Sequence, residues 1–217
     1  MKPVNIDSPY EFNNQFLFMR HGESHANRHG IIVSDPENGL DDFSLTGQGV
    51  KAVADKAMRS RLDSNVLVVC SDFLRTKQTA NIVAEVLDAA PAHETASLRE
   101  RYFGDWEGKS AQHYDAIWRD DEQGIVKHNV ETIASVLQRM LHCVWELETT
   151  HTNQRFLLVS HGDCLQILLS WMLCMSPRFH RHIPPIKPAS IRSVNNTQSL
   201  QNIFNILNIE AENPQAA

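Results

Sequence analysis

Residues 16–24 read Phe-Leu-Phe-Met-Arg-His-Gly-Glu-Ser. A short apolar run ends in an Arg-His pair, and glycine and small polar residues follow. This pattern is typical of a buried strand that leads into a loop, and ligands in open α/β sheets bind beyond the carboxyl ends of the strands. The pattern recurs at 155–162, where an apolar run leads into His161 and Gly162. Two strand ends that each deliver a histidine predict one site built around two imidazoles.

Strand-like and helical segments alternate along the chain. The strand patterns cover 15–19, 66–71, 94–98, 155–160, 190–194 and 202–207. The helical patterns run from Thr46 to about 62, then over about 74–87, 110–120, 133–149 and 163–174. This alternation predicts an α/β fold, a three-layer αβα sandwich around a mostly parallel central sheet. Because the last two strands are close in sequence, we expect one of them to be an antiparallel edge strand.

The size and composition of the chain indicate one ordinary globular unit. The 217 residues contain 42% hydrophobic and 21% charged residues, and we expect a single domain over 1–217. The segment at about 105–150 is expected to form a helical insertion that caps the active site. A net charge of −6 gives no electrostatic support to a nucleic-acid partner.

The lack of a targeting pattern, together with the cysteine spacing, predicts a cytoplasmic protein without a membrane anchor. The first residues lack a signal-peptide pattern, and the apolar stretch at 165–174 is too short to cross a bilayer. The four cysteines show no CxxC spacing, which favours free thiols in a reducing compartment. An apolar stretch at 203–209 would allow a homodimer, although the sequence does not decide the oligomeric state.

Two arginines occupy positions that suit an anion. Arg20 precedes His21, and a guanidinium matches phosphate geometry with paired donors, while a neutral imidazole is a competent nucleophile toward phosphorus. Arg75 falls in the first turn of the helix after the strand at 66–71, near the positive end of the helix dipole. A cation is unfavourable there without an anionic partner, so the position favours phosphate binding.

The segment 98–108 carries three carboxylates between glycines and aromatic residues. A carboxyl group among aromatic side chains can have a raised pKa and act as a general acid. The composition of the segment leaves Glu100, Asp105 and Glu107 equally eligible for that role.

Together these stretches resemble the signature blocks of the histidine phosphatase superfamily, in its phosphoglycerate-mutase-like branch. Residues 20–27 match the RHGE[ST]xxN block, and 71–80 resemble the S-x-x-x-R-x-x-Q-T-A block. Residues 98–108 resemble the LxExxxGxWEG block. The stretches 160–162 and 45–49 resemble the second histidine block and the LTxxG helix entry. The five blocks follow the family order over about 15–165, and the resemblance implies a phosphoglycerate-mutase-like fold.

The resemblance implies a role for each matched residue. His21 would be the nucleophile that forms a phosphohistidine, and Glu100 would protonate the leaving oxygen and then help to activate water. The phosphoryl oxygens would be held by Arg20, Asn27, Arg75, His161 and the backbone of Gly162. Glu107 would be structural, and neither a metal nor another cofactor is implied. The cations around His21 should keep it neutral, with best activity at mildly acidic to neutral pH.

The function expected is metal-independent hydrolysis of a small phosphomonoester. The loop 30–43 is acidic and would repel a second anionic group, and 118–121 reads Trp-Arg-Asp-Asp where related mutases carry an Arg-Arg pair. A phosphoglycerate-mutase-type phosphotransferase and a catalytically weak domain that binds phosphorylated ligands are the alternatives. The pairs His25/His29 and His180/His182 are expected to be solvated loop residues. The sequence does not name the substrate.

Overall fold

The structure is a computed structural model, and it describes residues 12–193. Its centre is a five-stranded sheet. In chain order the strands are β1 (Gln15–Arg20), β2 (Leu67–Ser71), β3 (His93–Thr95), β4 (Arg155–Ser160) and β5 (Ile191–Ser193). They lie side by side in the order β3-β2-β4-β1-β5.

The pairing confirms a mostly parallel sheet with one antiparallel edge. β1 runs parallel to β4, β2 runs parallel to both β4 and β3, and β5 is antiparallel to β1. In the β1–β4 register Arg20 lies opposite Ser160. His21 and His161 therefore leave the sheet side by side, at the carboxyl ends of the two central strands.

Seven helices are described. They are α1 (His25–His29), α2 (Pro36–Gly39), α3 (Gly47–Arg59), α4 (Leu74–Leu87), α5 (Tyr114–Gln123), α6 (Ile133–Thr150) and α7 (Gly162–Met172). Short 3-10 segments cover Ala96–Leu98, Gly104–Trp106, Ala111–His113 and Pro177–His182. No helix within residues 12–193 combines the length and apolar character needed to cross a bilayer.

Two apolar clusters cover the two faces of the sheet, because successive side chains of a strand point to opposite faces. One face packs against α6 and α7 through Phe16, Phe18, Phe156, Leu158, Met140 and Leu165. The other face packs against α3 and α4 through Met19, Val68, Leu157, Val159, Val53 and Val83. The strands β1, β2 and β4 read as continuous apolar runs because both of their faces are buried, and the three predicted layers are present.

The structure departs from the predicted elements at 94–98. The strand predicted there is shorter, because Ala96–Leu98 turns into a 3-10 segment whose Leu98 packs in the core. The apolar stripe of α6 packs against α7, and the expectation that about 105–150 forms a helical insertion that caps the active site stays a prediction. The predicted strand over 202–207 lies outside the described residues, and the single-domain assignment stays a prediction.

Candidate active site

The carboxyl ends of β1 and β4 bring His21 and His161 together. Both imidazoles are buried, and their ring centroids lie 5.2 Å apart at an interplanar angle of 61°. The two histidines are 140 residues apart in sequence, and only the parallel pairing of two central strands makes them neighbours. The structure therefore places the two predicted imidazoles in one site.

The backbone selects one tautomer of His21. Its Nδ1 lies 2.7 Å from the carbonyl oxygen of Gly22, which can only accept a hydrogen bond, so Nδ1 carries the hydrogen. The lone pair of Nε2 consequently faces the site, where it accepts from Nε of Arg75 at 3.3 Å. The Gly22 amide donates to Oγ1 of Thr79 at 3.0 Å. A Cβ at Gly22 would lie 2.7 Å from the side chain of Val53, so only glycine permits this close approach.

Arg75 links the two histidines. It is the second residue of α4 and is 3% exposed. Its Nη2 donates to the Val33 carbonyl at 2.9 Å and lies 3.1 Å from Nδ1 of His161. Because a guanidinium only donates, His161 accepts at Nδ1, and its Nε2 then donates to Oγ of Ser71 at 3.1 Å.

Arg20 approaches the same space from the end of β1. Its Nη1 donates to the Ile186 carbonyl at 3.0 Å. A Cβ at Gly162 would lie 3.3 Å from the Arg20 guanidinium, so glycine lets that group rest against the first turn of α7. Nε of Arg20 and Nη1 of Arg75 are both buried, and neither has a hydrogen-bond partner among residues 12–193. Buried donors without partners are costly, and two of them on neighbouring guanidiniums indicate an anion site.

Glu100 is the carboxylate of the 98–108 segment that lies beside the imidazoles. Its Oε2 is 3.9 Å from Nδ1 of His161, and its Oε1 accepts from the Arg101 amide at 3.0 Å. Asp105 is exposed and accepts from Nδ2 of Asn129 at 2.8 Å. The choice that composition left open among the carboxylates is therefore decided by position.

Burial is the largest influence on the titration of the site. It lowers the pKa of His21 well below the ordinary range, with further lowering by Arg75 and Arg20. The pKa of His161 is lowered for the same main reason. Burial raises the pKa of Glu100 to about 7, although the Arg75 charge opposes the shift. Near neutral pH the site thus holds two neutral imidazoles and a carboxyl group that is present in both protonation states.

Arg139 of α6 holds the segment that carries Glu100. Its Nη1 donates to the carbonyls of Ser97 at 3.0 Å and Arg99 at 2.7 Å. Its Nη2 donates to the Glu100 carbonyl at 3.2 Å. Glu131 accepts from both Nε and Nη2 of the same guanidinium at 2.9 Å. The sequence does not distinguish Arg139 from any other charged residue of an amphipathic helix, so the sequence analysis missed this contact.

A buried ionic cluster forms around Arg101, the residue that follows Glu100. Arg101 donates to both carboxylate oxygens of Asp121, at 2.7 and 2.8 Å, and to Asp163 at 3.2 Å. Asp163 also accepts from Nε1 of Trp118 at 2.9 Å, and it lies 3.0 Å from Nε2 of His180. His180 is fully buried, so its prediction as a solvated loop residue was wrong. Its Nδ1 also lies 3.0 Å from the Pro177 carbonyl oxygen, so both ring nitrogens of the buried side chain have partners.

Glu107 joins the acidic loop to the 98–108 segment. Its Oε2 accepts from the amide and the hydroxyl of Ser34, both at 2.7 Å, and its Oε1 accepts from Asn38 at 3.0 Å. The Ser34 hydroxyl in turn accepts from the Phe103 amide at 3.0 Å. These contacts fit the structural role expected for Glu107.

Asn27 serves the local structure of α1. Its Oδ1 accepts from the amide and the hydroxyl of Ser24, both at 3.1 Å, while the Ser24 hydroxyl accepts from the Asn27 amide at 3.3 Å. This reciprocal capping accounts for the residue types at both positions. The phosphate contact expected of Asn27 stays a prediction.

The described residues also include side chains of the types that bind metal ions. Among residues 12–193, no group of three or more His, Cys, Asp or Glu side chains is arranged to hold a metal ion. His25 and His29 are both exposed on α1, with ring centroids 6.1 Å apart.

The chain is similar in sequence and in fold to known proteins. The sequence model of the "Histidine phosphatase superfamily (branch 1)" matches residues 16–206. The adenosylcobalamin/alpha-ribazole phosphatase of Salmonella typhimurium is 31% identical over 164 residues, which are 72% of this chain and 78% of that protein. The glucosyl-3-phosphoglycerate phosphatase of Mycolicibacterium vanbaalenii is 28% identical over 173 residues, 73% of this chain and 74% of that protein. The solved alpha-ribazole phosphatase of Shigella flexneri gives a TM-score of 0.67 at 26% identity, covering 83% of this chain and 90% of its own.

Proposed function

The chain belongs to branch 1 of the histidine phosphatase superfamily, and from that premise we propose that it hydrolyses a small phosphomonoester through a phosphohistidine at position 21, without a metal ion. The relatives named above are phosphatases, and the chain is accordingly a phosphoric monoester hydrolase. The proposal adds the covalent intermediate, the absence of a metal requirement and the role of each site residue.

One observation carries the proposal. The lone pair of His21 Nε2 accepts from Nε of Arg75 and faces the buried space beside Arg20 and Arg75, each of which has a buried donor without a partner among residues 12–193. A phosphoryl group placed there would satisfy both guanidiniums and present its phosphorus to Nε2. Arginine suits this task because its fixed fork matches the oxygens of phosphate.

In the first step, Nε2 of His21 attacks phosphorus and the bond from phosphorus to the ester oxygen breaks. The protonated form of Glu100 donates its proton to the departing oxygen, so the product leaves as a neutral alcohol. The Nδ1–H of His21 keeps its hydrogen bond to the Gly22 carbonyl, which stabilises the positive charge that develops on the ring.

In the second step, water attacks the phosphorus of the phosphohistidine. Glu100, now a carboxylate, takes a proton from that water, and the bond between phosphorus and Nε2 breaks. Inorganic phosphate leaves, and His21 returns to its neutral tautomer. The same carboxyl group therefore acts first as an acid and then as a base, which suits a pKa near 7.

Phosphoryl transfer depends mainly on positioning and on the stabilisation of charge over the equatorial oxygens. Arg20 and Arg75 would supply two positive charges for that purpose. His161 is neutral in the arrangement described, because burial and Arg75 lower its pKa. A bound phosphoryl dianion raises the proton affinity of this imidazole, so that it can become a third donor.

The test is phosphate release by the purified full chain over a panel of phosphate esters, with His21→Ala beside the unchanged protein. We expect turnover only in the unchanged protein, with undiminished rate in EDTA. A phosphoenzyme trapped during turnover should be stable in alkali and labile in acid, as a phosphorus–nitrogen bond is. Equal turnover in His21→Ala would contradict the nucleophile, and loss of activity in EDTA would contradict metal independence.

The mutase alternative has a separate test. The chain would be incubated with 3-phosphoglycerate and 2,3-bisphosphoglycerate, and both isomerisation and phosphate release would be followed. We expect release of phosphate. Isomerisation without net release would favour the phosphotransferase.

A further inference from the structure

The two carboxylate oxygens of Glu100 have different surroundings. Oε1 accepts from the Arg101 amide at 3.0 Å and lies 3.6 Å from Sγ of Cys164, a hydrogen-bonding distance for the larger sulfur atom. Oε2 lies 3.9 Å from Nδ1 of His161 and accepts no hydrogen bond from residues 12–193. It is not among the buried side-chain atoms of this range that lack a partner, so part of its surface is exposed. Oε1 is therefore the held oxygen, and Oε2 is the oxygen that a substrate can meet.

The thiol of Cys164 directs its hydrogen at oxygen atoms. The side chain is fully buried, and Nη2 of Arg139 lies 3.5 Å from Sγ. Because a guanidinium only donates, sulfur accepts there, and the S–H is left for the Arg99 carbonyl at 3.2 Å or for Oε1 of Glu100 at 3.6 Å. Burial raises the pKa of the thiol well above its ordinary value, so the hydrogen stays on sulfur near neutral pH. A buried cysteine thus links Arg139 to the proposed acid.

The turn from β4 into α7 contacts both oxygens of the carboxyl group. His161 is the N-cap of α7 and faces Oε2, whereas Cys164 is the third residue of α7 and faces Oε1. The Leu165 amide donates to the His161 carbonyl at 3.1 Å and closes this turn. Because one turn carries both side chains, it fixes the orientation of the carboxyl group relative to the imidazole.

The two donors on Oε1 also decide where the proton of Glu100 resides. An oxygen that accepts hydrogen bonds is a poor position for an O–H, which would face those donors, so the acidic proton belongs on Oε2. When Glu100 ionises, Oε1 becomes a stronger acceptor, and the S–H gains by turning from the Arg99 carbonyl to the carboxylate. The thiol therefore stabilises the ionised form of Glu100 more than the neutral form.

Resting on the function proposed above, we propose that Oε2 of Glu100 is the oxygen that transfers the proton, and that Cys164 is a positioning residue that holds Oε1. In the first step the proton passes from Oε2 to the ester oxygen as the bond between that oxygen and phosphorus breaks. In the second step Oε2 takes a proton from the attacking water. The thiol and the Arg101 amide keep the carboxyl group from rotating between the two steps, and Cys164 itself exchanges no atom with the substrate.

The experiment compares Cys164→Ala with Cys143→Ala. Both cysteines are buried in the same apolar cluster, and Cys143 is the matched control because it has no hydrogen bond to Glu100. For Cys164→Ala we expect kcat/KM to fall about three- to tenfold on glycerol 3-phosphate. On p-nitrophenyl phosphate, whose oxygen departs without a proton, the change should be less than about twofold. The decline of kcat/KM with rising pH should move up by about half a pH unit, because a donor to the ionised form is lost.

The other charged or titratable groups around Glu100 are retained in these variants. They are Arg20 of β1, Arg75 of α4, Tyr114 of α5, Arg139 of α6, and His161 and Asp163 at the start of α7. Inhibition by inorganic phosphate should therefore be unchanged in Cys164→Ala. Cys164→Ser restores a donor at this position, and we expect it to return both the ester selectivity and the pH profile toward those of the unchanged protein.

The outcomes separate this inference from the function on which it rests. A decline that moves to lower pH in Cys164→Ala would mean that the shorter side chain admits water, and equal losses on both esters would mean that the change disturbs the phosphate site. Either result, or a Cys164→Ser variant that behaves like Cys164→Ala, would overturn the role of Cys164. An unchanged Cys164→Ala beside an inactive His21→Ala would do the same and leave the proposed function standing. If the unchanged protein is no more active than His21→Ala on every ester, both proposals fail.

Discussion

Nε of Arg75 lies 3.3 Å from Nε2 of His21, the ring nitrogen whose lone pair the backbone leaves free. This contact orients the imidazole and, together with burial, keeps it neutral. We expect a phosphoryl group that enters the site to compete for the same N–H donor and so to free the lone pair of Nε2. The guanidinium would then orient the proposed nucleophile before the substrate binds and donate to the phosphoryl oxygens afterwards.

Replacement of Arg75 tests this relationship. Arg75→Lys keeps the charge but cannot contact His21, Val33 and His161 at once, so we expect kcat/KM to fall about a hundredfold or more. The measurement is steady-state phosphate release. Arg28→Lys is the control, since Arg28 forms an exposed ion pair with Glu23, and it should retain activity. Near-normal activity in Arg75→Lys would show that charge alone suffices.

Glu100→Gln tests the proton transfer. The amide still fits the site but donates no proton to an alkoxide, so esters of weakly acidic alcohols should lose about 10²- to 10⁴-fold in kcat/KM, which reports the step in which the leaving group departs. Esters of acidic phenols should lose much less, because their oxygen departs without a proton. In the unchanged protein, kcat/KM should decline as pH rises through about 7, the pKa to which burial raises Glu100 in the free protein. Equal losses on all esters would argue against an acid role.

The same residue should make the stability of the protein depend on pH. Burial raises the pKa of Glu100 from 4.5 to about 7, so between these values the folded state holds a proton that the unfolded chain has lost. Stability contributed by the neutral carboxyl is therefore complete below about pH 4.5 and is lost as pH rises through 7. The total is of order 3 kcal/mol for a shift of this size.

Denaturant unfolding at pH 5 and pH 8 measures this effect. We expect Glu100→Gln to gain stability relative to the unchanged protein as pH rises, because the amide cannot ionise. Other titrating groups are common to both proteins and largely cancel in the difference. A difference in the free energy of unfolding that is the same at both pH values would contradict a buried carboxyl with a raised pKa.

Arg139→Lys tests the support behind Glu100. A lysine cannot reach three carbonyls and both oxygens of Glu131, so the segment 97–100 should loosen and expose Glu100 to water. We expect kcat to fall about tenfold and the decline at high pH to move to lower pH, as the pKa of Glu100 returns toward its ordinary value. Inhibition by inorganic phosphate should change little. A lower kcat with an unmoved pH profile would mean that Arg139 serves stability alone.

Local patterns in the sequence predicted most of the framework. Apolar runs identified the parallel strands β1, β2 and β4, whereas β3 reads His-Glu-Thr and overlaps the predicted strand 94–98 only in part. The helix α4 was predicted with the bounds that the structure has, because burial of one face leaves a periodic trace. The Arg-His and His-Gly junctions at strand ends located the two imidazoles. These features depend on neighbours in the chain, and a single sequence records them.

Other features depended on contacts between distant segments. Composition left three carboxylates as candidate acids, the family resemblance pointed to Glu100, and the fold shows Glu100 beside His161. The sequence analysis placed His180 in a loop, where Asp163 of α7 buries it. It gave no sign of Arg139, whose side chain donates to the carbonyls of a distant segment. Hydrogen bonds and pKa shifts arise between groups that packing brings together. Because the two groups can be far apart in the chain, the sequence around one of them gives no pattern that identifies the other. The sequence by itself therefore determined the strands, the helices and the chemistry at their ends, while the tertiary structure decided which of those groups meet.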